Sequence, residues 1–197
     1  MMLAMTHDPV PGVPVVVLGL MGAGKTTLAT ALAERWGRPL RDSDADLLAA
    51  TGRTAAQLAG TEGAAGLHER EARHLLDALL QTPAPVVAAA ASTVQVLACR
   101  QALALVRVVW VDVSVEELVR RQSGGQSGGG QSGGGQSGGG HRPRYGPDLR
   151  AILERMDLDR RPFFAQLADV VVESALGDAT VRVERQLTGL PSLGLDG

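Results

Sequence analysis

Short runs of apolar residues alternate along the chain with longer stretches in which apolar residues recur at helical spacing. The runs at 85–91 and 106–113 are almost wholly apolar, which is typical of strands buried on both faces of a parallel sheet. Residues 13–19 are a valine-rich run of the same kind, and residues 168–174 are a further candidate strand. Residues 38–44 form a shorter candidate strand that ends in acidic side chains. This alternation predicts an α/β fold built on a parallel sheet.

The predicted helices lie between these strands, and glycine marks several of their ends. They cover residues 25–37, 45–52, 54–60, 63–81, 147–167 and 178–187.

The loop between the first strand and the first helix reads GLMGAGKT, Gly19 to Thr26, and fits the phosphate-binding pattern G-x-x-x-x-G-K-[ST] at every fixed position. Gly22 and Gly24 let the backbone turn its N–H groups toward phosphate oxygens. Lys25 can reach the β- and γ-phosphates of a nucleotide, and the Thr26 hydroxyl can bind Mg²⁺. Lys25 is the only lysine among 19 basic residues, which argues against an ordinary surface lysine. The predicted nucleotide-binding residues are Gly22, Ala23, Gly24, Lys25, Thr26 and Thr27.

Composition narrows the class of protein. The chain has 197 residues, 45% of them hydrophobic, and a net charge of −2, which predicts one globular domain over 1–197 and gives no reason to expect a nucleic-acid partner. No apolar run approaches the ~20 residues of a membrane span, and the N-terminus lacks the pattern of a signal peptide. The single cysteine, Cys99, fits a core position. We therefore expect a cytoplasmic monomer that acts on a small molecule.

The phosphate loop alone leaves several reactions open. The chain has no asparagine and no second lysine with which to build the guanine-reading motif of common GTPases. A mechanical ATPase would usually carry an acid at the end of its third strand, whereas this strand ends in alanines. A small-molecule kinase that uses Mg²⁺ and ATP remains the best interpretation.

The segments GLMGAGKTTLATALAERWG, RDSDADLLAATGRTAAQLAGTEGAAGLHEREARHL, RPR and DRRPFF resemble those of the shikimate kinases, over residues 14–187. The resemblance implies a P-loop kinase fold with a five-stranded parallel sheet in the order 2-3-1-4-5, flanked by helices, and a flexible lid over ATP. It also implies transfer of a phosphoryl group to a hydroxyl group of a small polar acid.

The resemblance assigns roles to individual residues. Asp42 matches the acid that helps to hold Mg²⁺, and Asp44 matches the acid that binds the acceptor hydroxyl and acts as base. Arg121 matches the residue that stacks on adenine, and Arg160, with Arg161 beside it, matches an acceptor-binding arginine. A competing interpretation is that RDSD only caps a helix, since Asp and Ser are favoured in that role.

Two segments depart from the family pattern. His68 follows Leu67 where the family has a Phe-Arg pair whose arginine binds the acceptor carboxylate, and residues 90–92 read Ala-Ala-Ser in place of a glycine turn. We therefore place His68 in the acceptor site and expect an altered acceptor pocket. A degenerate ATP-binding protein without turnover, serving as a sensor or partner, is the alternative. His68 and His74 are six residues apart, which places them on different helix faces and argues against a metal site. We expect the segment HEREARH to form a solvated helix face instead, along which the glutamates and arginines of EREAR pair.

Residues 122–140 form one QSGG and three QSGGG units, the composition of a flexible linker. In the family this position lies within the lid, between Arg121 and Arg142, so we interpret the tract as an expansion of the lid; repeat slippage and engineered insertion give the same pattern. Loop entropy makes such an expansion cost only about 1–2 kcal/mol. Arg142 matches the catalytic lid arginine, with Arg144 as its substitute if the register shifts.

Overall fold

The computed structural model describes residues 8–124 and 148–193. Its centre is a sheet of five parallel strands in the order β2-β3-β1-β4-β5, as the resemblance implied. The strands are β1 Val15–Leu18, β2 Leu40–Asp42, β3 Val86–Ala88, β4 Arg107–Val111 and β5 Val170–Val172. Each lies within the predicted segment and is shorter than it.

Helices cover both faces of this sheet. They are α1 Lys25–Trp36, α2 Ser43–Thr51, α3 Ala55–Leu79, α4 Leu97–Leu103, α5 Val115–Gly124, α6 Leu149–Leu167 and α7 Ala179–Thr188, with a 3₁₀ helix at Ala91–Gln95. Strand β1 is fully buried and packs with Leu28 and Leu32 of α1, which explains why its valines follow one another without polar interruption. Cys99 is buried in the same core, as predicted, and burial raises the pKa of its thiol.

Three helices differ from the sequence expectation: α4 and α5 lie outside the predicted helices, and α3 joins two predicted pieces. The pieces predicted at 54–60 and 63–81 form one element, α3, interrupted at Gly63, whose φ of 77° is not helical and suits glycine. Helix α5 continues through Gly124 and so includes the first three residues of the Gln/Ser/Gly tract. Ion pairs from Glu117 to Arg120 and Arg121 support this last turn.

The topology positions the functional residues. Because all five strands are parallel, their carboxyl ends meet at one edge of the sheet. The phosphate loop follows β1, Asp42 ends β2, and Ala90 follows β3 at this edge. Within the described residues, no helix combines the length and apolar character needed to cross a bilayer.

Candidate active site

The phosphate loop has the backbone that its glycines predicted. Gly22 and Gly24 have φ angles of 81° and 101°, and a Cβ atom at Gly24 would lie 2.7 Å from the Cβ atom of Ala175. Any side chain at Gly24 would therefore meet both strain and a clash. Helix α1 begins at Lys25 without a side-chain cap, so the N–H groups of its first turn are suited to an anionic phosphate.

Lys25 is held against this loop. Its Nζ donates a 3.2 Å hydrogen bond to the backbone oxygen of Leu20, and it lines a cavity beside Thr26 and Thr27. The ammonium group is thus positioned where the phosphates of a nucleotide would meet the loop.

Asp42 joins the phosphate loop to helix α2. Its Oδ2 accepts a 2.6 Å hydrogen bond from the Thr26 hydroxyl, while its Oδ1 accepts hydrogen bonds of 3.0 and 3.1 Å from the backbone N–H groups of Asp44 and Ala45. The capping interpretation therefore holds at Oδ1, while Oδ2 bonds to the phosphate loop, so the cap leaves the predicted metal role of Asp42 open as a prediction. A hydroxyl and a carboxylate side by side are oxygen donors of the kind that Mg²⁺ prefers.

One cavity of about 1020 Å³ contains most of the predicted site. The predicted residues in its lining are Gly22, Gly24, Lys25, Thr26, Thr27, Asp42, Asp44, His68 and Arg160. Ala23 is buried within the loop itself. Arg121 is absent from the lining; it pairs with Glu117 at 2.7 Å and donates to the backbone oxygen of Ala23 at 3.5 Å. Arg142 and Arg144 lie outside the described residues.

The structure separates the two neighbouring arginines of helix α6. Arg160 is 8% exposed, lines the cavity and donates to the side-chain oxygen of Gln95 at 3.2 Å. Arg161 turns away, donates to both carboxylate oxygens of Asp112 at 2.6 and 3.1 Å, and lies over the ring of Trp110. Only Arg160 is therefore in position to contact a molecule in the cavity.

His68 and Arg160 lie close enough to influence each other's charge. Burial lowers the pKa of the His68 imidazole, and the positive charge of Arg160 lowers it further. The imidazole is therefore neutral at pH 7 and available as a hydrogen-bond partner rather than a cation.

The turn after β3 accepts alanine without backbone strain. Ala90 has φ and ψ angles of −64° and 141°, which any residue adopts, and Ser92 lies in the 3₁₀ helix that follows. Residues 88–92 all line the cavity. Ala90 and Ala91 thus form part of the cavity wall, and an altered acceptor pocket stays a prediction.

Sequence reasoning missed Glu71. The segment EREAR suggested a solvated helix face, and Glu69 with Arg73 does form an exposed ion pair there. Glu71, however, is 7% exposed and lines the cavity, so that part of the interpretation is wrong. The signal was its position three residues after His68, which puts both side chains on one face of α3.

His74 was also misjudged as part of that solvated face. It is buried, and its Nε2 lies 2.7 Å from Oδ2 of Asp46 in helix α2. Arg41 pairs with the same carboxylate at 2.5 Å. Burial by itself raises the pKa of Asp46, but the hydrogen bonds from His74 and Arg41 outweigh it and the net shift is downward. Across the described part of the chain, no cluster of three His, Cys, Asp or Glu side chains could hold a metal ion.

Comparison with known proteins identifies the family. The sequence model of the shikimate kinase family matches residues 21–187. The chain is 36% identical to the shikimate kinase of Symbiobacterium thermophilum over 158 residues, which cover 79% of this chain and 83% of that protein. It is 31% identical to the shikimate kinase of Chromobacterium violaceum over 170 residues, covering 86% and 85%.

Solved structures agree in fold. The shikimate kinase of Acinetobacter baumannii, solved in complex with shikimate, superimposes with a TM-score of 0.72 at 24% identity over 90% of both chains. A gluconokinase from Sinorhizobium meliloti has a TM-score of 0.55 at 18% identity, again over 90% of both chains. These structural likenesses support the fold, and the family follows from the sequence matches. The chain therefore belongs to the shikimate kinase family and is a kinase that transfers a phosphoryl group from ATP to a hydroxyl group of a small polar metabolite.

Proposed function

We propose that this chain phosphorylates a small acid bearing several hydroxyl groups, with shikimate as the first acceptor to test. The observation that carries the proposal is that Lys25 and Thr26 of the phosphate loop line the same cavity as Asp44 and Arg160. A nucleotide and an acceptor bound there would be held side by side, and positioning of this kind supplies much of the rate in phosphoryl transfer. The similar proteins of Symbiobacterium thermophilum and Chromobacterium violaceum are named shikimate kinases, which supports this choice of acceptor.

Mg²⁺–ATP would bind at the phosphate-loop end. Thr26 and Asp42 would hold the metal ion, Asp42 through water, since their oxygens lie only 2.6 Å apart. Bound Mg²⁺ supplies charge neutralisation on the phosphates. Lys25 adds a positive charge from the protein, and the curled backbone at Gly22 and Gly24 directs N–H groups at the phosphates.

The acceptor would bind at the other end of the cavity. Asp44 would accept the hydrogen bond of the hydroxyl that is phosphorylated and take its proton. Arg160 would bind the acceptor carboxylate, because it is a buried guanidinium that faces the cavity. His68 would donate a further hydrogen bond to that carboxylate.

Two assigned roles depend on the lid. Arg121 would stack on adenine, which is compatible with its contact to the phosphate loop at Ala23. Arg142 would neutralise charge in the transition state from a lid that includes the tract at 122–140; its role stays a prediction from the resemblance.

The alternative, an ATP-binding protein without turnover, is less favoured. A protein that had lost catalysis would have no reason to keep Asp44 and Arg160 on the wall of the cavity that contains the phosphate loop. Their retention supports an enzyme.

The proposal is tested by measuring ADP release from Mg²⁺–ATP in a coupled assay, with and without millimolar shikimate. We expect shikimate-dependent release by the wild type, a loss of at least about 10³-fold in Lys25→Ala, and unchanged rates in Arg73→Ala, which alters an exposed helix residue. Activity close to wild type in Lys25→Ala would reject the assigned role of the loop. Binding of ATP without any release on addition of shikimate would reject shikimate as the acceptor.

We also propose that the chain forms one domain, acts as a monomer and is located in the cytoplasm. A single cooperative unfolding transition and a mass near 20.5 kDa by light scattering would support the first two statements. A concentration-dependent mass would contradict the monomer.

A further inference from the structure

Helix α2, which carries the predicted base Asp44, has few apolar contacts to hold it in place. It is nine residues long, and only Ser43 and Leu47 among them are buried. A helix of this length is marginal by itself in water, and segments with few buried apolar contacts have low local stability. Asp44 is exposed, so its position depends on what fixes the helix rather than on packing of its own side chain.

Polar contacts hold α2 on either side of Asp44. Asp42 caps the first turn, and Asp46 lies two residues after Asp44 on a different side of the helix. Oδ2 of Asp46 lies 2.5 Å from Nε of Arg41 and 2.7 Å from Nε2 of His74. Arg41 belongs to β2, which leads directly into α2, whereas His74 is 28 residues from Asp46, on α3. His74 is therefore the side chain that joins α2 to another helix through Asp46.

The hydrogen bond between His74 and Asp46 has a definite direction. Burial raises the pKa of Asp46, but the hydrogen bonds from His74 and Arg41 outweigh it, so the carboxyl group is ionised at pH 7. An ionised carboxylate only accepts hydrogen bonds, so Nε2 of His74 carries the proton and donates it. Nδ1 of His74 is buried and has no hydrogen-bond partner among the described residues. Within this part of the chain, the bond to Asp46 is thus what orients the ring.

Shielding from water makes this bond hard to replace. The side chain of His74 is 6% exposed, and that of Asp46 is 32% exposed. A hydrogen bond to an ionised carboxylate is stronger than one between neutral groups, and a buried donor that loses its acceptor is not compensated by water. A shift of α2 away from α3 would therefore leave His74 unpaired, which favours one fixed arrangement of the two helices.

The helices joined by this bond both contribute to the acceptor end of the cavity. Asp44 lines the cavity from α2, and His68 and Glu71 line it from α3. His74 follows Glu71 by one helical turn and is not among the described residues that line the cavity. The bond thus acts on the distance between the predicted base and the α3 wall, while its donor stays out of contact with the acceptor.

We propose that His74 is a positioning residue, which holds Asp44 against the acceptor hydroxyl by anchoring Asp46 and with it helix α2. Asp44 must lie within hydrogen-bond reach of that hydroxyl to accept its proton. A displacement of about 1 Å in such a site can lower the rate by ~10²-fold. This inference rests on the proposed function, which makes Asp44 the base.

The test measures steady-state ADP release with shikimate and Mg²⁺–ATP in two substitutions of His74. His74→Phe keeps a ring in the buried site and removes the donor, whereas His74→Gln keeps an N–H donor for Asp46. Both are also made in an Asp44→Asn background, in which the base is already lost. Asp46→Ala removes the acceptor from a partly exposed position. Arg73→Ala is the matched control, since Arg73 is adjacent to His74 and its side chain is 67% exposed.

We expect His74→Phe and Asp46→Ala to lower kcat by about 10- to 100-fold, with the KM for Mg²⁺–ATP within about twofold of the wild type, because the base is displaced and the phosphate loop is not. His74→Gln should keep kcat within about threefold of the wild type, and Arg73→Ala should match it. In the Asp44→Asn background, His74→Phe should change the residual kcat by less than about twofold, since the residue that it positions no longer acts as base. A purely structural role would give the same fold loss in both backgrounds and no advantage to glutamine.

An unchanged kcat in His74→Phe, equal losses in both backgrounds, or a loss in His74→Gln as large as in His74→Phe would each overturn the inference. Thermal unfolding of each variant gives the folded fraction to which kcat is referred. If His74→Phe does not fold, Asp46→Ala with and without Asp44→Asn gives the same comparison from the other side of the bond. Absence of shikimate-dependent ADP release in the wild type would instead overturn the proposed function, and this inference with it.

Discussion

The Thr26 hydroxyl donates a 2.6 Å hydrogen bond to Asp42, and the same carboxylate caps the helix on which Asp44 lies. One buried side chain therefore connects the phosphate loop to the start of α2. The predicted metal-binding residue and the predicted base are thus held in a fixed relation, which transfer between two bound substrates requires.

Asp42→Asn should separate the two roles of Asp42. Asn is also a good N-cap, so we expect the free energy of unfolding to change by less than about 1 kcal/mol. The loss of charge at the metal site should reduce kcat/KM for Mg²⁺–ATP by roughly 10²-fold. Asp42→Ala should lose a further ~1 kcal/mol of stability, because it removes the cap as well. Urea unfolding together with ATP kinetics measures both effects, and full activity in Asp42→Asn would contradict the metal role.

Asp44→Asn should leave nucleotide binding intact while stopping transfer. We expect the Kd for Mg²⁺–ATP, measured by calorimetry, to stay within about twofold, and kcat to fall by 10²-fold or more, since the base is lost. Asp77→Asn, an exposed acid on α3, is the matched control. A large loss of ATP affinity in Asp44→Asn would mean that Asp44 belongs to the nucleotide site.

Arg160 and Arg161 offer a matched pair of variants on one helix. Arg160→Ala should raise the KM for an acidic acceptor by about 10-fold or more, because the buried guanidinium faces the cavity. Arg161→Ala should leave that KM unchanged and reduce stability by about 1 kcal/mol, through loss of the Asp112 pair and the contact with Trp110. If Arg161→Ala raised the KM for the acceptor and Arg160→Ala did not, the acceptor-binding role would belong to Arg161.

His68 should make acceptor binding depend on pH. Burial and then Arg160 lower the pKa of its imidazole below the usual 6.5, so the neutral form predominates at pH 7. As pH falls through the lowered pKa, the imidazolium forms and attracts an acceptor carboxylate more strongly. We therefore expect the KM for shikimate to decrease on acidification in the wild type. This part of the pH dependence should be absent in His68→Gln.

His68→Arg provides the complementary measurement, since arginine stays charged at every pH. At pH 8 it should lower the KM for shikimate by about 10-fold relative to the wild type. The difference in KM between the two proteins should become smaller as the pH falls, because His68 itself becomes charged. A KM that rises in His68→Arg would show that the acceptor presents no negative charge at this position.

The linkage of His68 to folding has a definite sign. Between the lowered folded pKa and 6.5 the unfolded chain binds more protons than the folded protein, so stability rises with pH across that window. Denaturant unfolding of the ligand-free wild type at several pH values below and above 6.5 should show this rise, and His68→Gln should reduce it. A difference in stability between the wild type and His68→Gln that falls with pH over this window would contradict the partly buried, neutral state of His68.

Local sequence determined the sheet, the phosphate loop and most of the helices. The apolar runs predict strands β1, β3 and β4 directly, because strands that are buried on both faces contain few polar residues. The phosphate loop at 19–26 is predicted equally well from the sequence, since a backbone that lies close to a phosphate requires glycine at fixed spacing. The 2-3-1-4-5 order came from the resemblance, and the structure agrees with it.

Tertiary packing decided which charged side chains enter the cavity. Arg160 and Arg161 are adjacent in sequence, and their opposite directions depend on Gln95, Asp112 and Trp110, which come from distant segments. By its sequence Glu71 is one more charge on a polar helix, whereas in the fold it is buried and bonded to Ser92, 21 residues away. The sequence by itself thus established the α/β class and the phosphate-binding loop, because both follow from local pattern. Which side chains line the predicted acceptor end was decided by long-range contacts, which a one-dimensional pattern does not encode.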